Sequence, residues 1–99
     1  METKLLQERE DLFDHFVASR PTGDVLQTTK WGRLKVASGW DYWPLAVMDK
    51  GQIQAAALIL TKNLPVGGKA GYSPRGPLFT SPEALETLLA AGSEFLKEQ

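Results

Sequence analysis

The stretch from Pro44 to Thr61 constrains the fold most. Pro44-Leu45-Ala46-Val47-Met48 reads as a strand, and Asp49-Lys50-Gly51-Gln52 as a tight reversal with a glycine free to take positive φ. Ile53 to Thr61 is the return strand. It is apolar on both faces, which places it centrally in a sheet. Turn and helix signals on either side of this hairpin divide the rest of the chain.

Leu5, Leu6, Leu12, Phe13, Phe16 and Val17 recur at helical spacing and predict an amphipathic helix over 3–19, ended by Ser19-Arg20-Pro21-Thr22-Gly23. Val25-Leu26-Gln27 reads as a short strand. Thr28 or Thr29 caps a second helix over 29–38, which Gly39 terminates. The hairpin strands span 43–49 and 52–61, and one more short strand is expected over 69–73. Ser81-Pro82-Glu83 starts a third helix over 82–98: serine cap, proline in the first turn, then an acid. Its apolar face holds Leu85, Leu88, Leu89, Gly92, Phe95 and Leu96, and Gly92 there suggests close approach of another element. The expected fold class is α+β: a mostly antiparallel sheet of about four strands with about three helices.

At 99 residues, with 42% hydrophobic and 23% charged side chains, the chain is one small globular domain or a piece of a larger one. The third helix stops within a turn of Leu96, the look of an interrupted domain. A net charge of −1 gives no overall basic field for nucleic acid or an anionic membrane. The absence of cysteine excludes disulfides and thiolate chemistry. No secretory signal is visible, and Ala55–Leu60 is too short an apolar run to span a bilayer, so a soluble, cytoplasmic protein is expected.

Tyr72-Ser73-Pro74-Arg75-Gly76-Pro77 is the second marked feature. Its prolines lack an N–H and stiffen the residues before them, so the segment is a rigid bend with Arg75 projecting from it. By itself this is a strand-to-helix turn whose arginine pairs with a nearby carboxylate. On the second helix Trp31, Leu34, Lys35 and Ser38 share a face; Lys35 either snorkels to the surface or points into an aromatic-rimmed cleft. His15 stands alone without a second ligand or nucleophile, and reads as structural. Gly67-Gly68-Lys69 lacks the spacing and the hydroxyl residue of a phosphate loop. Asp41 and Asp49 lie in loops, with no evident role as general base.

Gln27-x-x-x-Trp31-x-x-x-Lys35, then Gly39-Trp40, the hairpin, and Tyr72-x-Pro74-Arg75-Gly76-Pro77 together resemble the Fem family. These are the FemA, FemB, FemX and MurM-type aminoacyltransferases of peptidoglycan interpeptide bridges. The resemblance runs from about Phe16 to the C-terminus; Ser73 departs from it where a larger apolar residue is common. It implies the N-terminal half of the first of two acetyltransferase-like (GNAT-type) subdomains, in a chain several times longer. It implies transfer of an amino acid from aminoacyl-tRNA to the stem peptide of a muramyl-pentapeptide precursor, UDP-linked or lipid-linked, without coenzyme A or another cofactor. That activity belongs to the cytoplasm, or to the inner face of the membrane. Precursor-binding roles are implied for Lys35, which would hold its pyrophosphate, and for Arg75, Trp31, Tyr72 and Gly76 along the cleft. Catalytic residues and metal ligands are not implied for these residues.

The physical requirement is the same without the family. A pyrophosphate needs fixed cations, and lysine and arginine supply different geometries. Two other readings of the sequence are an acyl-CoA-dependent N-acyltransferase of the same fold and a non-catalytic module that self-associates as a homodimer. Pro74 and Pro77 remove two of the backbone donors that a coenzyme A pyrophosphate turn would use.

Overall fold

The computed structural model describes residues 1–98. At its centre β2 (Asp41–Asp49) and β3 (Gln52–Asn63) pair antiparallel from Asp49↔Gln52 to Asp41↔Thr61. Lys50 and Gly51 close the hairpin at φ 52° and 79°, the handedness that matches the twist of the flanking strands. The register slips by one residue between Val47 and Met48, leaving Gln54 as an extra residue in β3. Its backbone and side-chain carbonyls each accept a hydrogen bond from Thr80, both at 2.8 Å.

β1 (Glu2–Leu5) adds to the free edge of β2, while β4 (Lys69–Tyr72) and β5 (Leu78–Phe79) share the opposite edge of β3. The pairings are antiparallel, and the class is α+β. Ala46, Met48, Ala56, Leu58 and Leu60 point to one face, against α1 (Glu10–Ser19) and α2 (Thr29–Val36). Leu45, Val47, Ala55, Ala57 and Ile59 point to the other, against α3 (Pro82–Lys97). Burial on both faces is the reason the return strand is continuously apolar from Ala55 to Leu60. Ser81 caps α3 by accepting from the Ala84 N–H at 3.2 Å.

Two expectations are corrected. Residues 3–9 are not helical: Glu2–Leu5 forms β1, in register with Met48 to Leu45, and α1 starts at Glu10. The β2 edge offers these residues backbone partners, and Arg9 provides no side-chain cap, so nothing in the sequence marked the boundary. The Leu6 N–H closes the ladder on the Pro44 carbonyl at 2.8 Å. The donor that Pro44 lacks falls on that same side, where β1 leaves the sheet, so a proline is tolerated in a central strand. The second correction is Val25–Gln27, a single 3-10 turn rather than a strand. Asp24 Oδ1 accepts from the Leu26 N–H at 2.9 Å and Gln27 Oε1 from the Asp24 N–H at 2.7 Å. This reciprocal cap satisfies locally the groups a strand would have offered to a neighbour.

α1 positions α2 through two carboxylates. Asp14 accepts from the Thr29 N–H at 2.7 Å and the Thr29 hydroxyl at 2.6 Å, holding the first turn of α2. Glu10 accepts from the Tyr42 hydroxyl at 2.7 Å and pairs with Arg33. α2 lies close on the sheet: a Cβ on Gly32 would come within 2.6 Å of the Tyr42 ring. Burial alone would push the Glu10 carboxyl up, but hydrogen bonds from Arg33 and Tyr42, with the Arg33 charge, outweigh it and hold it below its ordinary value. Its stabilisation is therefore fully present above the unfolded carboxyl value, about 4.3, and is lost as pH falls through the lower folded value.

Between β4 and β5 lies the bend, Ser73–Pro77. From Leu60↔Tyr72 to Ala56↔Leu78 β3 advances four residues while the opposing chain advances six, so two residues are expelled from the edge. Arg75 and Gly76 are left-handed, at φ 60° and 76°. For arginine that conformation costs about 1–2 kcal/mol.

Two measurements check these points. Glu10→Gln should lower stability at neutral pH by about 1–3 kcal/mol and flatten its decline below about pH 5, read by urea unfolding across pH. Arg75→Gly should unfold at higher denaturant than Arg75→Ala, by about 1 kcal/mol, because both lose the side chain and only alanine keeps the backbone strain.

Candidate substrate-binding site

α2 presents Trp31 and Lys35 one turn apart on one helical face, and the 3-10 turn before it presents Gln27, with the extended Thr28 between them. Gln27 is 2% exposed. Its Nε2 donates to the Gly76 carbonyl at 3.0 Å, while its Oε1 accepts from Asp24 as described. One buried amide thus joins the α2 stripe to the Pro-bracketed bend. The Arg75 Nε lies 3.6 Å from Asp24 Oδ2, so its guanidinium takes the carboxylate partner that the bend by itself suggested. The Arg75 side chain remains 63% exposed, leaving much of the fork open.

Lys35 does not point into bulk solvent alone. Its ammonium sits 5.9 Å from the Trp31 ring centre and 5.6 Å from that of Trp40, within cation–π range of both. The Lys62 ammonium lies 5.5 Å from the same Trp40 ring. Trp40 in turn meets Tyr72 edge to face, with ring centres 5.2 Å apart. Among the described residues neither Lys35 nor Lys62 is ion-paired. Two ammonium groups supported by aromatic faces, without a carboxylate, make a place for an anion.

Of the residues expected at the site, the structure gathers Trp31, Lys35 and Tyr72 around Trp40. It holds Arg75 and Gly76 to the same wall through Gln27 and Asp24. Trp40 and Lys62 extend that set. Lys62 carried no signal of its own, because its position beside Trp40 follows from the strand register. His15 lies apart, beside Met48, Gly51 and Gln52.

The bend has a second face. Ser73 and Pro77 line an apolar cleft of about 190 Å³ with Leu45, Ile59, Leu88 and Gly92 under α3. The Ser73 hydroxyl is buried there without a hydrogen-bond partner. Asp41 and Asp49, expected in loops, are instead the first and last residues of β2, paired with Thr61 and Gln52 because the hairpin ladder runs to both of them.

The FemAB family model matches residues 8–99. The lipid II:glycine glycyltransferase of Staphylococcus aureus (strain bovine RF122 / ET3-1) is 38% identical over 89 residues, covering 87% of this chain and 21% of that protein. The same-named protein of Staphylococcus aureus strain USA300 is 37% identical over 89 residues. The crystal structure of FemX superposes with a TM-score of 0.88 at 35% identity, over 99% of this chain and 25% of that one. The chain therefore spans about a fifth to a quarter of the length of these relatives. With nearly its whole length matched in sequence and in fold, the chain belongs to the FemAB family.

Proposed function

We propose that this chain supplies the precursor-binding part of a tRNA-dependent aminoacyltransferase that extends the stem peptide of a peptidoglycan precursor. The relatives named lipid II:glycine glycyltransferase support a precursor of that class as acceptor. The observation that carries the reading is the joining of the α2 stripe to the bend by Gln27, with the Lys35 ammonium left over the indoles of Trp31 and Trp40.

The physical roles follow from the side chains. Lys35 offers a compact charge with three donors to a diphosphate oxygen. Arg75 offers a planar fork on a backbone set before any ligand arrives, so less ordering is spent on binding. Tyr72 and Trp40 give an apolar wall on which a sugar or the peptide stem packs. The reaction itself joins the acceptor amine, in its unprotonated form, to the carbonyl carbon of an aminoacyl ester. The C–O bond to the tRNA 3′-oxygen breaks, and the proton from the amine ends on that oxygen. The residues gathered here bind and position the acceptor rather than accept that proton.

Calorimetric titration with UDP-muramyl-pentapeptide tests the reading. Lys35→Ala should weaken binding by about ten-fold or more, the loss of a charge-assisted hydrogen bond to phosphate. Arg75→Ala should weaken it less, because Asp24 already takes part of the charge. Unchanged affinity in both variants would overturn the site; saturable binding of acetyl-CoA instead would favour an acyl-CoA-dependent enzyme.

A further inference from the structure

The turn between β3 and β4, Leu64-Pro65-Val66-Gly67-Gly68, has no role in the core or in the site above. It is nonetheless ordered by its own bonds: the Leu64 N–H donates to the Gly68 carbonyl at 3.0 Å and the Gly67 N–H to the Leu64 carbonyl at 3.1 Å. Gly67 and Gly68 take φ 93° and 81°, which closes the loop tightly. The result is a rigid projection with aliphatic side chains at its end. Val66 is 95% exposed and Leu64 42%. A single exposed aliphatic residue needs no explanation, but two within three residues on a self-bonded tip are a directed surface.

Charge says what that surface faces. Lys62 and Lys69 stand on its two shoulders, at the ends of the paired strands. No aspartate or glutamate occurs between Asp49 and Glu83, whereas Lys50, Lys62, Lys69 and Arg75 do. A chain of net charge −1 thus keeps one segment free of acidic residues, and the tip lies within it. Asp24 still pairs with Arg75, and Asp41 stands opposite Thr61, next to Lys62. Aliphatic residues ahead of a basic collar match the layered chemistry of an anionic bilayer, acyl chains beneath phosphate headgroups. The turn satisfies some of its own backbone groups and Pro65 presents no N–H, which lowers the cost of entering that layer. Among the described residues no helix is long and apolar enough to cross a membrane, so the contact would be peripheral.

We propose that the β3–β4 turn is a membrane-contact tip, with Leu64 and Val66 entering the headgroup layer of an anionic bilayer and Lys69 meeting lipid phosphates at its rim. The geometry gives this a use. Lys62 also reaches Trp40, so the tip ends a few residues from the candidate anion site. A diphosphate attached directly to a membrane lipid would meet that site at the height of the headgroups. The tip itself does not depend on precursor binding, and the two fail separately.

The chain contains no cysteine, so Val66→Cys gives a unique thiol for an environment-sensitive fluorophore, with Leu89→Cys on α3 as the exposed control. Vesicles of phosphatidylcholine with phosphatidylglycerol should blue-shift and brighten the label at position 66, and leave the one at 89 unchanged. In co-sedimentation of unlabelled protein, Val66→Asp should cut partition onto these vesicles by about ten-fold. Lys69→Ala should cut it by about five-fold. Val66→Asp should leave thermal melting and the affinity for soluble UDP-muramyl-pentapeptide unchanged. The proposal is overturned by any of four results. The protein ignores anionic vesicles, it binds pure phosphatidylcholine equally well, Val66→Asp partitions like the unsubstituted chain, or the label at 66 responds to protein concentration without lipid. The last result would assign the tip to a second copy of the chain.

Discussion

The buried amide of Gln27 is the interaction on which the rest of the site depends. It donates to the Gly76 carbonyl, accepts from the Asp24 N–H, and has almost no contact with water. An amide so deeply buried is costly unless both ends are satisfied, so the arrangement of its partners is tightly specified. Through Gly76 it holds the bend, and through Asp24 it holds the 3-10 turn that Arg75 leans on and that leads through Thr28 into the helix of Trp31 and Lys35. Neither half of the wall is in place without the other.

The carboxylates of α1 act in the same way on the next layer out. Asp14 grips the first turn of α2 and Glu10 ties its middle to Tyr42 and Arg33. α2 is only eight residues long, and a helix of two turns is marginal without such support. Its contact with the sheet is equally strict, since Gly32 leaves no room for a methyl group against Tyr42. The lysine stripe is thus presented by a short helix made rigid by α1 at its side and by the sheet below.

Much of this was legible in the sequence. The hairpin followed from its turn residues and its doubly apolar strand, α3 from its cap, and the bend from its prolines. The pairing of Gln27, Trp31 and Lys35 with the Tyr72–Pro77 segment was legible as a family pattern, although the contact that makes it physical was not. Four things were hidden, because another segment, a neighbouring residue or a side chain's own bonding decided each. Glu2–Leu5 has helical spacing with Phe13 and Phe16, and becomes a strand because the β2 edge is open to it. Val25–Gln27 has strand composition, yet Asp24 and Gln27 side chains replace the strand partner. Lys62 meets Trp40 because Gln54 is a bulge: counted straight from the Asp49–Gln52 turn, Trp40 would face Thr61, and the extra residue moves the opposition on by one. The left-handed Arg75 also carries no composition signal, since arginine is an ordinary residue and the strain is imposed by its neighbours.

The shape of the edge opposite β2 sets a rule for length change in this region of the chain. Tyr72 and Leu78 both pair with even-numbered residues of β3 and lie on the α1/α2 side, although a bend intervenes. They do so because the surplus between them is two residues, and an even surplus conserves the alternation of a strand. The same edge could lose both residues and become one uninterrupted strand, or gain another pair and become a longer loop, with Leu78 still seated in its core. A single insertion or deletion would keep that pairing only where the bend, which leaves the sheet at the left-handed Arg75 and Gly76, absorbs the odd residue. Otherwise β5 would turn over and move Leu78 out of its core. Steps of two disturb the alternation of this edge least, and the cleft wall is open to remodelling by length as well as by substitution.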